Sequence, residues 1–143
     1  MAISGRRWSS ARKSSAEIFS ASTASVALTV ARRLLAVGSD REVGDALLDQ
    51  RVIAGIGNAI RTEACFRARV SPWRRIGDLD ADEAAGLIGH SERVMRLSLE
   101  GGTRPRSIYR ATGRACPVCG TTIRSRGQGD ANRIAYWCDG CQR

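Results

Sequence analysis

Four cysteines near one end of the sequence constrain its fold more than any other feature. They fall as Cys116-x2-Cys119 and Cys138-x2-Cys141, with 18 residues between the pairs. Two residues between paired cysteines let both sulfurs reach one ion from a single tight turn. Four such ligands close a tetrahedron around Zn²⁺ at Zn–S distances of about 2.3 Å. Pro117, Gly120 and Gly140 favour the two turns. The intervening segment suffices for two strands and a turn, placed at Gly127-Gln-Gly-Asp130. A redox CxxC is the weaker reading, because there are two pairs and no thioredoxin-like context. With cysteine at all four positions no coordination site is open to water, so one structural Zn²⁺ is expected, without chemistry of its own. The fifth cysteine, Cys65, stands alone. An odd count with two tight pairs suits a metal in a reducing, intracellular compartment better than a disulfide framework.

Charge is the second constraint. The 143 residues carry 23 basic and 14 acidic side chains, net +9, and Lys13 is the only lysine. Arginine forks fit phosphate oxygens bidentately, so a basic, Arg-rich chain points to a polyanion. Codon bias in a GC-rich genome is an equal explanation of the Arg:Lys ratio, but not of the net charge. Residues 1–39 are net +5, residues 40–100 net −2 and residues 101–143 net +6. Four thiolates around one Zn²⁺ bring the last segment to about +4. No run of 18 apolar residues exists, so no membrane span is expected.

The elements follow from periodicity and caps. Residues 1–38 are rich in Ser, Ala and Arg; they read as disordered or as partly helical over 16–37, and their composition also resembles an organellar transit peptide. Residues 40–49 read as a short helix capped by Ser39 or Asp40. Gly55 and Gly57 break it and permit positive φ, and Asn58 is the natural N-cap of a second helix over 59–69 that Ser71-Pro72 ends. A third helix runs over 80–100 behind an Asp80/Glu83 capping box, with Ala84, Leu87, Ile88, Val94, Met95 and Leu97 on its apolar face and Gly101-Gly102 as its stop. His90 lies mid-helix without a second ligand and reads as a surface or packing residue. Cys65 reads as a buried small apolar group. Trp73 and Trp137 read as packing residues, with Trp137 placed to cover the metal site.

A Gly-x-Gly-Asn turn between two helices is weak evidence alone, although backbone N–H groups at a helix N-terminus make a ready phosphate site. Read together with the cysteines it carries more. The stretch from Ala46 to Pro72, with Gly55-Ile-Gly-Asn58 at its centre, resembles the helix-two-turn-helix of the formamidopyrimidine-DNA glycosylase / endonuclease VIII family. The tail from Ile108-Tyr109 through Cys116-Pro-Val-Cys119 to Tyr-Trp-Cys138-Asp-Gly-Cys141-Gln142 resembles its C-terminal zinc finger. The two matches stand in the family's order over about residues 40–142. Ser-Pro-Trp73, the short link after Gly101-Gly102 and Tyr-Trp-Cys138 lean toward the endonuclease VIII branch.

The resemblance implies a mostly α fold with a small zinc-stapled β-hairpin. Its parts are an N-terminal segment (1–38), a helix-two-turn-helix domain (39–102) and a four-cysteine zinc finger (103–143). It implies double-stranded DNA as partner, with abasic or oxidised-base lesions, and neither membrane nor small-molecule cofactor. Gly57 and Asn58 match the turn that contacts the phosphate flanking the lesion. Arg133 matches the finger arginine on the same backbone, and Tyr109 a tyrosine that bonds phosphate. Glu63 matches a helix position with a structural role. After the tyrosine the family usually has Gly-Arg, where this chain has Arg110-Ala111. The family's catalytic amine is an N-terminal proline followed by glutamate, and this sequence begins Met1-Ala2-Ile3. The expectation is therefore a damaged-DNA-binding module without catalytic residues, in the cytoplasm or nucleoid, organellar targeting by residues 1–35 being less favoured. The alternatives are an active glycosylase/AP lyase using the α-amine of Ala2 or Lys13, and a zinc-ribbon protein-interaction module.

Overall fold

The computed structural model describes residues 21–101 and 106–143. Ala2, Lys13 and most of the candidate targeting segment lie outside them. Helix α1 spans Ala21–Leu35, α2 Val43–Leu47, α3 Asn58–Ala68 and α4 Ala81–Gly101, with a 3-10 turn at Ile76–Asp78. Strands β1, Arg124–Gln128, and β2, Arg133–Trp137, form one antiparallel hairpin. The chain is mostly helical with a small β-hairpin, as the sequence led us to expect.

Helix α1 buries Ala27, Ala31 and Leu34, a stripe at helical spacing, and packs on α4. Its residues belong to the same apolar cluster as Val43, Leu47, Ile56, Cys65, Ile76, Leu87 and Ile88. For packing, α1 is thus continuous with residues 39–101. Helix α4 begins at the expected capping box. The Asp80 carboxylate accepts from Glu83 N–H at 2.7 Å, and the Glu83 carboxylate accepts from Asp80 N–H at 3.0 Å. Arg74 grips the same Glu83 with two nitrogens, at 2.8 and 2.9 Å, which ties the segment after α3 to the start of α4. Leu87, Ile88 and Val94 are buried, while Met95 and Leu97 are half-buried at the face's margin.

Several local expectations shift. Helix α2 is shorter than 40–49, and its N-cap is Glu42, without a side-chain cap bond. Backbone bonds from Val43 and Gly44 to the carbonyls of Arg74 and Pro72 meet that need instead. Gly57, not Asn58, caps α3 at φ −95°, so only Gly55 of the pair uses the left-handed region, at φ +94°. The Asn58 side chain is free for other work because the chain already turns at Gly57. Helix α3 stops at Ala68, ahead of Ser71-Pro72, since Arg69 takes a left-handed C-cap at φ 62°. The hairpin turn is Gly129–Asn132 rather than 127–130. Gln128 pairs with Arg133, and the positive φ angles fall at Gly129 and Asn132.

A second apolar cluster joins α3 to the finger. Phe66 packs with Ile108, Ile123, Cys116, Cys138 and Cys141. The last residues add polar stitches. Ser71 N–H donates to the Arg143 carbonyl at 2.9 Å, and the Gln142 amide donates to the Val70 carbonyl at 3.0 Å while accepting from Cys138 N–H at 2.8 Å. Gln142 is buried. Among the described residues no helix is long and apolar enough to cross a membrane.

Candidate nucleic-acid interface

The start of α3 and the start of β2 are bonded to each other. The Asn58 amide nitrogen donates to the Ile134 carbonyl at 2.9 Å, and its carbonyl oxygen accepts from Arg61. One amide N–H of Asn58 remains for a further acceptor. Gly57 precedes it with open space where a Cβ would stand. Arg133 follows the turn, exposed and in no ion pair among the described residues.

Arg61 holds this junction from inside. It is fully buried, one turn into α3, and donates to Asn58, to the Ile134 carbonyl at 3.1 Å and to the Gln128 side chain at 2.6 Å. Gln128, also buried, passes the bond on to the Pro72 carbonyl at 2.8 Å and to Glu42 at 3.3 Å. Burial pulls the Arg61 pKa below its ordinary value, and the neighbouring Arg133 lowers it further. A buried guanidinium needs hydrogen-bond acceptors, which oxygens from α3, β1 and β2 supply here. Half of this was legible: Arg61 stands three residues after Asn58, on one helix face. Its partners on the hairpin, 67 and 73 residues away, were not.

Tyr109 is placed by Glu63. The buried Glu63 carboxylate accepts from the backbone N–H groups of Ser107, Ile108 and Tyr109 at 2.8, 3.0 and 3.1 Å. Its structural role thus has a definite form: it replaces the missing backbone partners of the strand-less link into the finger. The Tyr109 ring stands edge-on to Tyr136 of β2, with 5.4 Å between centroids. Arg110 lies over the Tyr109 ring at 5.3 Å. The departure from Gly-Arg falls on a residue with φ 60°, where glycine would be unstrained. The tight turn survives nonetheless, closed by Ala111 N–H to the Ile108 carbonyl at 3.0 Å.

The four paired cysteines converge. Their sulfurs lie within 4.8 Å of one another, with Cys116 to Cys141 at 3.7 Å and Cys119 to Cys138 at 3.4 Å. A tetrahedral ion at Zn–S of about 2.3 Å sets its sulfurs about 3.8 Å apart, so the cage has the size such an ion requires. Gly140 makes room for it, since a Cβ there would stand 2.7 Å from the Cys119 sulfur. Burial pushes the Cys138 thiol up to about 11 and Cys141 higher still, whereas the Thr121 hydroxyl draws exposed Cys119 down to about 6. Four neighbouring sulfurs ionise together only beside a cation. Trp137 directly precedes Cys138, its indole N–H donating to Asp139 at 2.7 Å. Cys65 takes no part: it is wholly buried and its thiol is pushed up to about 12.

Comparison with known proteins agrees with this arrangement. Residues 20–108 match the formamidopyrimidine-DNA glycosylase H2TH domain. A probable endonuclease 8 of Streptomyces coelicolor is 39% identical over 117 residues, covering 71% of this chain and 41% of that protein. The chain thus spans less than half the length of that curated relative. The crystal structure of the MutM (Fpg) protein from Thermus thermophilus superposes with a TM-score of 0.69 at 31% identity, covering 79% of this chain and 48% of the other. The Lactococcus lactis Fpg, crystallised with an abasic site containing DNA, shares the fold at TM-score 0.70 and 22% identity, over 82% of this chain and 47% of that one. The chain belongs to the formamidopyrimidine-DNA glycosylase / endonuclease VIII family, and its helices and cysteine-bearing hairpin correspond to that family's C-terminal half.

Proposed function

We propose that this chain grips the backbone of double-stranded DNA beside a lesion or abasic site. Gly57, Asn58, Tyr109 and Arg133 make the contacts, and one structural Zn²⁺, held by Cys116, Cys119, Cys138 and Cys141, fixes the hairpin. The observation that carries the reading is the Asn58–Ile134 bond. It joins the N-terminus of α3 to the strand that bears Arg133, so a helix dipole, a free amide N–H and an unpaired guanidinium sit on one rigid surface. The DNA bound by the Lactococcus lactis relative supports the choice of ligand. On this reading we assign the chain to the cytoplasm or nucleoid.

The residues so gathered are donors and cations, and no lysine occurs among the described residues. The reading therefore assigns them grip and not catalysis. Binding of the full chain to a duplex with an abasic-site analogue, followed by anisotropy across a salt series, tests it. Asn58→Ala and Arg133→Ala are expected to weaken binding, and Arg133→Ala to flatten the log Kd against log salt line by about 0.9. Salt-insensitive binding by the native chain would sink the proposal. Borohydride trapping on abasic DNA is expected to give no covalent adduct.

A further inference from the structure

Beyond the four contacts above, the outer hairpin strand carries an arginine whose position none of them explains. Arg126 lies with its guanidinium carbon 4.0 Å from the centre of the Trp73 ring and 6.0 Å from that of Trp137. The two indoles meet edge to face at 5.3 Å, so the shelf beneath the arginine is itself braced. A guanidinium stacked this way keeps its N–H edge outward and has given up most of its rotamer freedom before any ligand arrives. Arg126 is exposed and joins no ion pair among the described residues. Its neighbour Arg124 differs: it is spent on Asp139 at 2.8 Å.

The hairpin register places this free cation. Arg126 pairs with Ala135 and Gln128 with Arg133, so Arg126 and Arg133 share a face as diagonal neighbours, about 7–8 Å apart. Of the carboxylates near the turn, Asp45 pairs with Arg41 at 2.7 Å and Glu42 accepts from Gln128, while Asp130, in the turn itself, is exposed and forms an ion pair with neither arginine. Two unpaired arginines side by side repel each other unless an anion lies across them. Consecutive phosphates of one strand supply such an anion.

The geometry points to Arg126, held flat on Trp73, as a further phosphate contact that extends the Arg133 grip along the same DNA strand. This assignment rests on the proposed function, and the experiment separates the two. The full chain is titrated with a short duplex, with and without an abasic-site analogue, over a salt series, using Arg126→Gln, Arg126→Lys and Arg133→Ala. Losing one phosphate contact is expected to raise Kd about eightfold at 0.1 M salt and to reduce the salt slope by about 0.9 for Arg126→Gln, equally on damaged and intact duplex. Arg126→Lys keeps the charge and loses the stacking. It is expected to keep the native salt slope while raising Kd. Unchanged Kd and slope in Arg126→Gln, with Arg133→Ala still impaired, overturn the Arg126 assignment alone and leave the stack a packing feature. Absence of DNA binding by the native chain overturns both. Thermal melting of each variant verifies that it is folded, which an exposed position favours.

Discussion

His90 lies at the centre of α4 with its Nδ1 buried and without a hydrogen-bond partner. Burial, then the charges of Arg67 and Arg93, push its pKa down to about 4 from 6.5. The unfolded chain therefore takes a proton near pH 6.5 that the folded chain refuses until about pH 4. Stability from this group is complete above pH 6.5 and is lost as pH falls through that window, by about 2 kcal/mol at pH 5. Urea unfolding of the native chain and of His90→Leu at a series of pH values checks this. The difference between their stabilities should shift in favour of the variant on acidification, and parallel profiles would contradict it. The sequence offered a surface or packing role for His90. Packing was legible from its place in a helix, and Arg93 from its place three residues on, but Arg67 was not, because it comes from another helix.

Between elements, polar side chains do what loops in small folds often leave to water. Glu63 on α3 satisfies three consecutive backbone donors of the link that carries Tyr109. Glu63→Gln retains the shape but offers an NH₂ where one oxygen stood. It is expected to destabilise the fold by about 1.5–3 kcal/mol, measured by denaturant unfolding, and to loosen amide exchange protection at Ile108 and Tyr109. Undiminished protection would refute the coupling. Elements with local causes were readable from sequence: the capping box of α4, the glycine break before α3, and the paired cysteines. The turn of the hairpin was misplaced by two residues because Gly127 and Gly129 both suit a turn. Only the cross-strand register, Gln128 against Arg133, chooses between them. The reach of Arg61 and the Arg126–Trp73 stack were likewise hidden, since each joins segments more than 50 residues apart.

At the scale of the molecule the described residues form two apolar clusters, one helical and one around the cysteines. They meet at Phe66, Arg61 and Gln142. Chelation of the proposed Zn²⁺ should unfold the hairpin cluster, because four bare thiols cannot replace a metal at its centre. The core of α1, α3 and α4 contains none of the four cysteines and is expected to keep its helical circular dichroism. DNA affinity should fall with the metal and return on adding Zn²⁺ back. Loss of the whole helical signal with chelator would show one cooperative unit instead.

The seal between these clusters also sets an order of events in time. Bonds across it link residues 44 to 86 positions apart, as from Glu63 to Ser107 and from Gln128 to Glu42. The contacts inside each helix and inside the hairpin are local and form early. During synthesis the helices leave the ribosome before the last cysteine exists. Until the hairpin docks, Arg61 and Glu63 face water as ordinary charged residues on the flank of α3. Their burial is expected to come last, and a nascent chain lacking metal to wait there: helical, soluble on that flank, and open.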